Sequence, residues 1–218
     1  MARRTKEEAQ ATRVQILDAA ERVFHAQGVS RASLAEVAKE AGVSRGAIYW
    51  HFENKIDLFQ AMLERLRLPL EELARASESE DEPDPLGCMR ELLIKALTRL
   101  ASEPQTHRTH DILRYKCEYT GELLGLRERM QALSLECDQR IAKALSNAVN
   151  KDQLPSDLDC ARAAVCLHAY MEGIEANWLL VPNFELAQQA PVLVDTVLDM
   201  LRSPALRLTL VSQASGEK

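Results

Sequence analysis

One short stretch, residues 44–55, gathers side chains suited to nucleic acid rather than to closing a core. An arginine such as Arg45 forks onto the two acceptors of guanine, while Gly46 and Ala47 permit close approach and contact with a thymine methyl. Tyr49, Trp50, His51 and Lys55 complete the set, with Tyr49, His51 and Lys55 spaced to bond phosphate oxygens. Ser33 and Ser44 add hydroxyls and helix-start N–H groups, which favour anions. Arg3, Arg4 and Lys6 form a basic arm for the backbone or the minor groove. A purely structural helix would carry Glu/Lys pairs outside instead. Catalysis has no comparable set: no nucleophile–base–orienter arrangement is evident, and the chain contains no GxxxxGK. His107 and His110 share a helical face, with Cys117 beyond, but no carboxylate–thiolate set completes a metal geometry. No catalytic residue, metal or cofactor is expected.

These residues need two short helices to position them. Ser33 and Glu36 read as a capping box opening the first, which ends at Ala41-Gly42. Ser44 opens the second, and Ile48 faces inward with Leu34, Val37 and Ala38. Gly42 supplies the left-handed turn, and Ala38 and Ala47 are small enough for close helix approach. The pattern is a helix-turn-helix over residues 33–52, which offers its second helix to a major groove. Ahead of it, Ile16, Leu17, Ala20, Val23 and Phe24 predict a helix from about Lys6 to Gln27, stopped by Gly28. Asn54 opens a longer helix toward Ala76.

The rest of the 218 residues reads as helix too. Eight Gly and eight Pro are too few for a turn-rich β-sandwich. Acidic SESEDEPDP (77–85) is a loop, and Asp84-Pro85 caps a helix to about Leu100. Further helices are expected over 104–118, 121–150, 157–180 and 184–201, and the tail 211–218 is expected to be disordered. The fold class is all-α with about nine helices: a DNA-binding unit over 1–54 and a second domain over 55–210. Net charge is −6, which speaks against nucleic acid until it is divided. Met1–Leu58 holds 9 Lys/Arg against 8 Asp/Glu, and the remainder holds 18 against 25. A phosphate-binding surface therefore belongs to the N-terminal end. The start MARRTKEEAQ has no apolar signal region, no stretch is long enough to span a membrane, and the five cysteines follow no CxxC spacing. A cytoplasmic protein with buried thiols is expected.

In the second domain, Met89, Leu92, Leu93 and Ala96 form one helical stripe, Cys137 and Ile141 another, and Val165, His168, Met171 and Glu172 a third. Such stripes are ordinary core or the wall of a ligand site. His110, Asp111, Arg114 and Glu172 interrupt them with ionisable groups, which are costly inside unless paired or used. An Asp111–Arg114 or Arg114–Glu172 ion pair would satisfy them. The helix over 157–180 is apolar on several faces and needs partners on two sides. Leu167, Ile174 and Trp178, with Leu193, Val197, Leu198 and Leu201 of the last helix, are the expected dimer interface.

The text SRGAIYWHFENKIDLF, within residues 12–58, resembles the DNA-binding domain of TetR-family transcriptional repressors. MARRTKEEAQATR, ARASESEDEPDPLGCMRELL (74–93), ILRYKCEY (112–119) and QLPSDLDCARAAV (153–165) are similar to the AcrR/TtgR branch, whose members repress multidrug efflux pump operons. The resemblance implies an all-helical homodimer on palindromic double-stranded operator DNA. It implies release when a small lipophilic or aromatic ligand (antibiotic, dye or plant phenolic) enters the second domain. It also assigns the stripes above to the pocket, adding Leu66 and Ala176. The branch carries Asn where His110 stands, Asp where Glu172 stands and a basic residue where Ala176 stands, so its ligand list does not transfer directly. The expected transmission runs through the helices over 85–100 and 54–76. A ligand-sensing or interaction module, or an activator, is the alternative function.

Overall fold

The computed structural model describes residues 6–119 and 123–208. Arg3, Arg4 and the tail 211–218 lie outside the described residues. Ten α-helices are present among the described residues: α1 (Lys6–Gln27), α2 (Leu34–Glu40), α3 (Arg45–His51), α4 (Lys55–Arg67), α5 (Glu71–Glu78), α6 (Pro85–Ser102), α7 (Pro104–Tyr115), α8 (Leu124–Asn150), α9 (Cys160–Leu180) and α10 (Leu186–Met200). The described residues contain no strand beyond one isolated bridge, Leu158 with Arg207. None of these helices is long and apolar enough to cross a membrane.

Local chemistry sets the boundaries. At α2, Glu36 N–H donates to Ser33 Oγ at 3.2 Å and Ser33 N–H donates to Glu36 Oε2 at 2.8 Å, closing the capping box. Ser44 accepts from Ala47 N–H at 3.1 Å to open α3, and Asn54 accepts from Asp57 N–H at 2.9 Å to open α4. Gly28 (φ +82°) and Gly42 (φ +64°) take the left-handed turns after α1 and α2. The single helix expected from Asn54 toward Ala76 is two: Pro69 lies in a 3₁₀ turn, Leu68–Leu70, between α4 and α5. Proline lacks the N–H that a continuing helix requires.

Two apolar cores follow. The first joins Ile16, Leu17, Phe24, Val37, Ile48, Leu58 and Phe59, and it extends to Ile112, Leu123 and Leu126. The N-terminal unit α1–α3, the head, is therefore packed directly on α4, α7 and the start of α8. The second core lies between α6, α8, α9 and α10, around Leu97, Leu100, Leu145, Leu167 and Val194. α6 packs against α5, α8 and α10, and α8 runs along α9.

The second core corrects the expected dimer residues. Leu167, Trp178, Val197, Leu198 and Leu201 are buried within the protomer, and Ile174 and Leu193 pack against them. Trp178 donates its indole N–H to the Phe184 carbonyl at 3.0 Å and meets His107 edge-on at 5.9 Å. The exposed large apolar groups of α9, α10 and the turn between them are Val165, Leu180, Val181, Phe184, Val192 and Met200. The cysteines are all free thiols; four are half-buried, but Cys166 is exposed.

Candidate functional site

Of the seven residues of α3, Ile48 alone is buried. Ser44, Arg45, Gly46, Tyr49 and Trp50 are exposed, with Tyr49 at 59% and Trp50 at 72%, values unusual for large rings with no outside partner. A Cβ at Gly46 would meet only Ser44 Oγ, at 3.9 Å. Its smallness therefore serves nothing inside the protomer and leaves the surface flat for something outside. Ala47 is half-buried, and Lys6 is exposed at the start of α1. His51 stands edge-on to Trp50 at 4.5 Å and holds that ring in place.

Some expected phosphate contacts have internal duties. Lys55 Nζ donates to the carbonyls of Ser30 (3.2 Å) and Ala32 (2.9 Å), fastening the α1–α2 loop. Ser33 Oγ donates to Glu36 Oε2 at 2.7 Å while accepting from Glu36 N–H. The unit is clamped further by Gln15 Nε2, which donates to the Ala41 carbonyl at 2.7 Å, and by the Arg22–Glu40 ion pair at 2.7 Å. Sequence reasoning passed over Gln15 because a lone glutamine on α1 carries no spacing signal.

The expected ligand residues divide. Met89, Leu93, Ile141 and Met171 share the second core. Leu66, Leu92, Ala96, Cys137 and Ala176 are half-buried; the Leu66 carbonyl accepts from Arg99 at 3.1 Å and the Ala176 carbonyl from Tyr115 at 2.6 Å. Val165 is 55% exposed and leaves the set: it lies on the outer side of α9. His168 Nδ1 sits 2.7 Å from Asp138 Oδ1.

The buried acid is not Glu172. Its side chain is 55% exposed, against 16% for Glu175 one turn on. Glu175 Oε2 lies 3.2 Å from His110 Nδ1 and 3.5 Å from Arg114 Nη2, while Glu172 reaches Arg114 at 3.6 Å. Burial opposes ionisation of Glu175, but His110 and Arg114 outweigh it and hold the carboxyl below its ordinary value. The signal was available: Leu167, Met171, Glu175 and Trp178 form one stripe at helical spacing.

Asp111 also leaves the ligand side. Its Oδ2 is 3.1 Å from His25 Nε2 on α1 and 3.3 Å from Lys116 Nζ. Nearby, Val29 N–H donates to the Lys116 carbonyl at 2.9 Å. Deeper in the same seam, Glu21 of α1, 1% exposed, pairs with Arg65 of α4. It accepts from Gln105 of α7 at 3.2 Å and faces Arg108 at 3.9 Å. Burial raises the Glu21 carboxyl despite those partners. α7 thus carries His110 and Arg114 toward Glu175, and Gln105, Arg108 and Asp111 toward the head.

Two open recesses flank α6 and share no residue with the expected ligand set. One, of about 740 Å³, is lined by residues including Leu73, Ala76, Ile94 and Thr98. The other, of about 400 Å³, lies among Asp84, Arg90, Asp195 and Arg202.

Residues 16–62 match the tetR family of bacterial regulatory proteins, and residues 84–203 match the C-terminal region of MAATS-type transcriptional repressors. The chain is 53% identical over 209 residues to the HTH-type transcriptional regulator TtgR of Pseudomonas putida, covering 95% of this chain and 100% of the relative. The crystal structure of NalD, described as the secondary repressor of the MexAB-OprM multidrug efflux pump in Pseudomonas aeruginosa, superposes with a TM-score of 0.76 at 34% identity, covering 89% of this chain and 97% of that one. A triclosan complex of SmeT, the repressor of the Stenotrophomonas maltophilia pump SmeDEF, superposes with a TM-score of 0.78 at 33% identity, covering 88% and 91%.

Proposed function

The chain belongs to the TetR family of bacterial regulatory proteins, and from that membership we propose that it is a cytoplasmic repressor of a multidrug efflux operon, released from its operator by a small lipophilic ligand. The observation that carries the DNA-binding half is α3, whose exposed Arg45, Gly46, Tyr49 and Trp50 stand on a single buried anchor, Ile48. Arg45 reads a base edge, and Ser44, Tyr49 and the N-terminal arm bind phosphates.

A helix this short covers only a few base pairs, so a palindrome read by a homodimer supplies the missing specificity. The exposed Val165 of α9 and Val192 of α10, with Ala161, Cys166 and Ala169 beside them, are the surface proposed for the second copy.

The ligand site we propose lies among α6, α7, α8 and α9. Met89 and Met171, with Leu93 and Ile141, fill it when empty, and methionine's flexible thioether adapts to ligands of different shape. The triclosan complex of SmeT supports an apolar aromatic ligand class. A ligand that competes for His110 or Arg114 releases them from Glu175 and moves α7. That helix is bonded to α1 through Asp111 and Gln105, so the head moves with it. Coupling of about 1–3 kcal/mol is sufficient for such a switch. A mobility-shift titration on DNA flanking the protein's own gene, with and without triclosan, tests this: a specific shift reversed by the ligand supports it, and the absence of a specific shift overturns it.

A further inference from the structure

The rings at the end of α3 lead to a cation on another helix. Trp50 meets His51 edge-on at 4.5 Å, and the His51 ring lies 6.2 Å from that of Phe52, which caps α3 and is 1% exposed. Over the Phe52 ring stands the guanidinium of Arg13, from α1, its Cζ 5.2 Å from the ring centroid. Two residues along α1, Gln15 donates to the Ala41 carbonyl at 2.7 Å, at the turn that precedes α3. α1 is therefore fastened near both ends of α3, and the place of Arg13 beside it is set by the fold.

The neighbouring cations have internal partners. Arg22 of the same helix pairs with Glu40 at 2.7 Å, and Arg31 donates to the Gln27 carbonyl at 2.8 Å. Lys55 holds the carbonyls of Ser30 and Ala32. Among the described residues no carboxylate pairs with Arg13. Stacking on an aromatic face orients a guanidinium and leaves its N–H fork for acceptors. Arg13 is also half-buried, so part of the side-chain freedom lost on gripping a phosphate is already gone. Lys6, exposed, lies two turns earlier on the same face of α1.

Position gives the cation its partner. The seven residues of α3 rise about 10 Å, close to the roughly 12 Å width of a major groove. Ser44 and Arg45 mark one end of that span, and Arg13 marks the other, where Phe52 ends the helix.

We propose that Arg13 is a phosphate anchor of the DNA interface: a guanidinium seated on Phe52 that takes a backbone phosphate at the end of α3 opposite Ser44. The inference rests on the reading of α3 given above. A phosphate contact carries no sequence information; it fixes how a protein lies on the duplex. Arg13 sets the lie of α3, and Arg45 reads the base.

The test compares the full chain with Arg13→Gln, Arg13→Met and Arg13→Lys by fluorescence anisotropy across a range of salt. The probes are the DNA upstream of its own gene and random DNA of equal length, and circular dichroism confirms that each variant is folded. Arg13→Gln is expected to weaken both DNAs about tenfold and to make the log–log salt slope shallower by about 1.8 for the two subunits of a dimer. Arg13→Met, which keeps a side chain on the Phe52 ring without the charge, is expected to match it. Arg13→Lys is expected to keep the wild-type slope. An unchanged slope in Arg13→Gln or Arg13→Met overturns the proposal even if affinity falls, because Arg13 then acts only by propping Phe52. A loss confined to the operator also overturns it, since that marks base reading. A wild-type complex indifferent to salt overturns the repressor reading and this anchor with it; a salt-dependent complex that the uncharged variants leave unchanged overturns the anchor alone.

Discussion

Asp111 Oδ2 lies 3.1 Å from His25 Nε2, across the seam where α7 meets α1 of the head. Asp111 follows His110, which points to Glu175 on α9. Neighbours on a helix diverge by about 100°, so one short stretch of α7 faces two ways. A displacement of His110 beside Glu175 is therefore a displacement of Asp111 at the head.

Asp111→Asn is expected to preserve operator binding and ligand binding while cutting the coupling between them. The ratio of operator affinity with and without saturating ligand measures it. If the wild-type coupling is about 1–3 kcal/mol, the variant retains less than half. An unchanged ratio removes Asp111 from the route.

Arg45→Ala is expected to abolish discrimination of the operator from random DNA, at about 1–3 kcal/mol per subunit, with ligand affinity untouched. Competition binding and calorimetry read the two effects separately. A parallel loss of ligand binding contradicts the modular arrangement.

Glu175→Gln leaves His110 and Arg114 without their buried carboxylate and is expected to cost about 2 kcal/mol in urea unfolding. Glu172→Gln, on an exposed side chain, stays within about 0.5 kcal/mol. Equal effects would show that the two acids are not divided by burial as found.

Two histidines give the stability profile opposite arms. Burial, reinforced by Lys116 and opposed by Asp111, holds His25 below its ordinary 6.5, so the unfolded chain takes the proton first and stability falls as pH drops below about 6.5. His168 is raised from 6.5 to about 9, so its contribution is complete below 6.5 and disappears as pH climbs to about 9. Thermal melts from pH 5 to 9 are expected to show both arms. His168→Gln flattens the alkaline one, worth on the order of 2 kcal/mol.

Trp178→Ala and Val165→Glu separate core from interface. The first empties a buried position and is expected to destabilise by about 3–5 kcal/mol. The second is expected to leave the protomer folded and shift sedimentation toward monomer. A dimer unaffected by Val165→Glu moves the interface elsewhere.

Much of this was legible from local chemistry. Ser33, Ser44 and Asn54 announce their caps, and Gly28 and Gly42 their turns, because each rule acts within four residues. Pro69 was missed because the apolar spacing of Leu66, Leu70 and Leu73 runs on through it. Grouping Asp111 with His110 and Arg114 as ligand-site residues ignored the angular step between neighbours. Choosing Glu172 over Glu175, and Leu167 and Trp178 as interface, had a common cause. On α9, apolar almost all round, periodicity does not say which side meets its own chain. Only the placement of α8 and α10 decides that.

On the function proposed above, one chain both grips DNA through α3 and lets go when its second domain is occupied. A mobility-shift titration of the full protein on its own upstream DNA, at two salt concentrations and with triclosan, tests it most directly. The expected result is a sequence-specific complex, a log–log salt slope near −7 if about eight phosphates are neutralised per dimer, and reversal by the ligand. A flat salt response, or a specific complex that triclosan leaves intact, would contradict it.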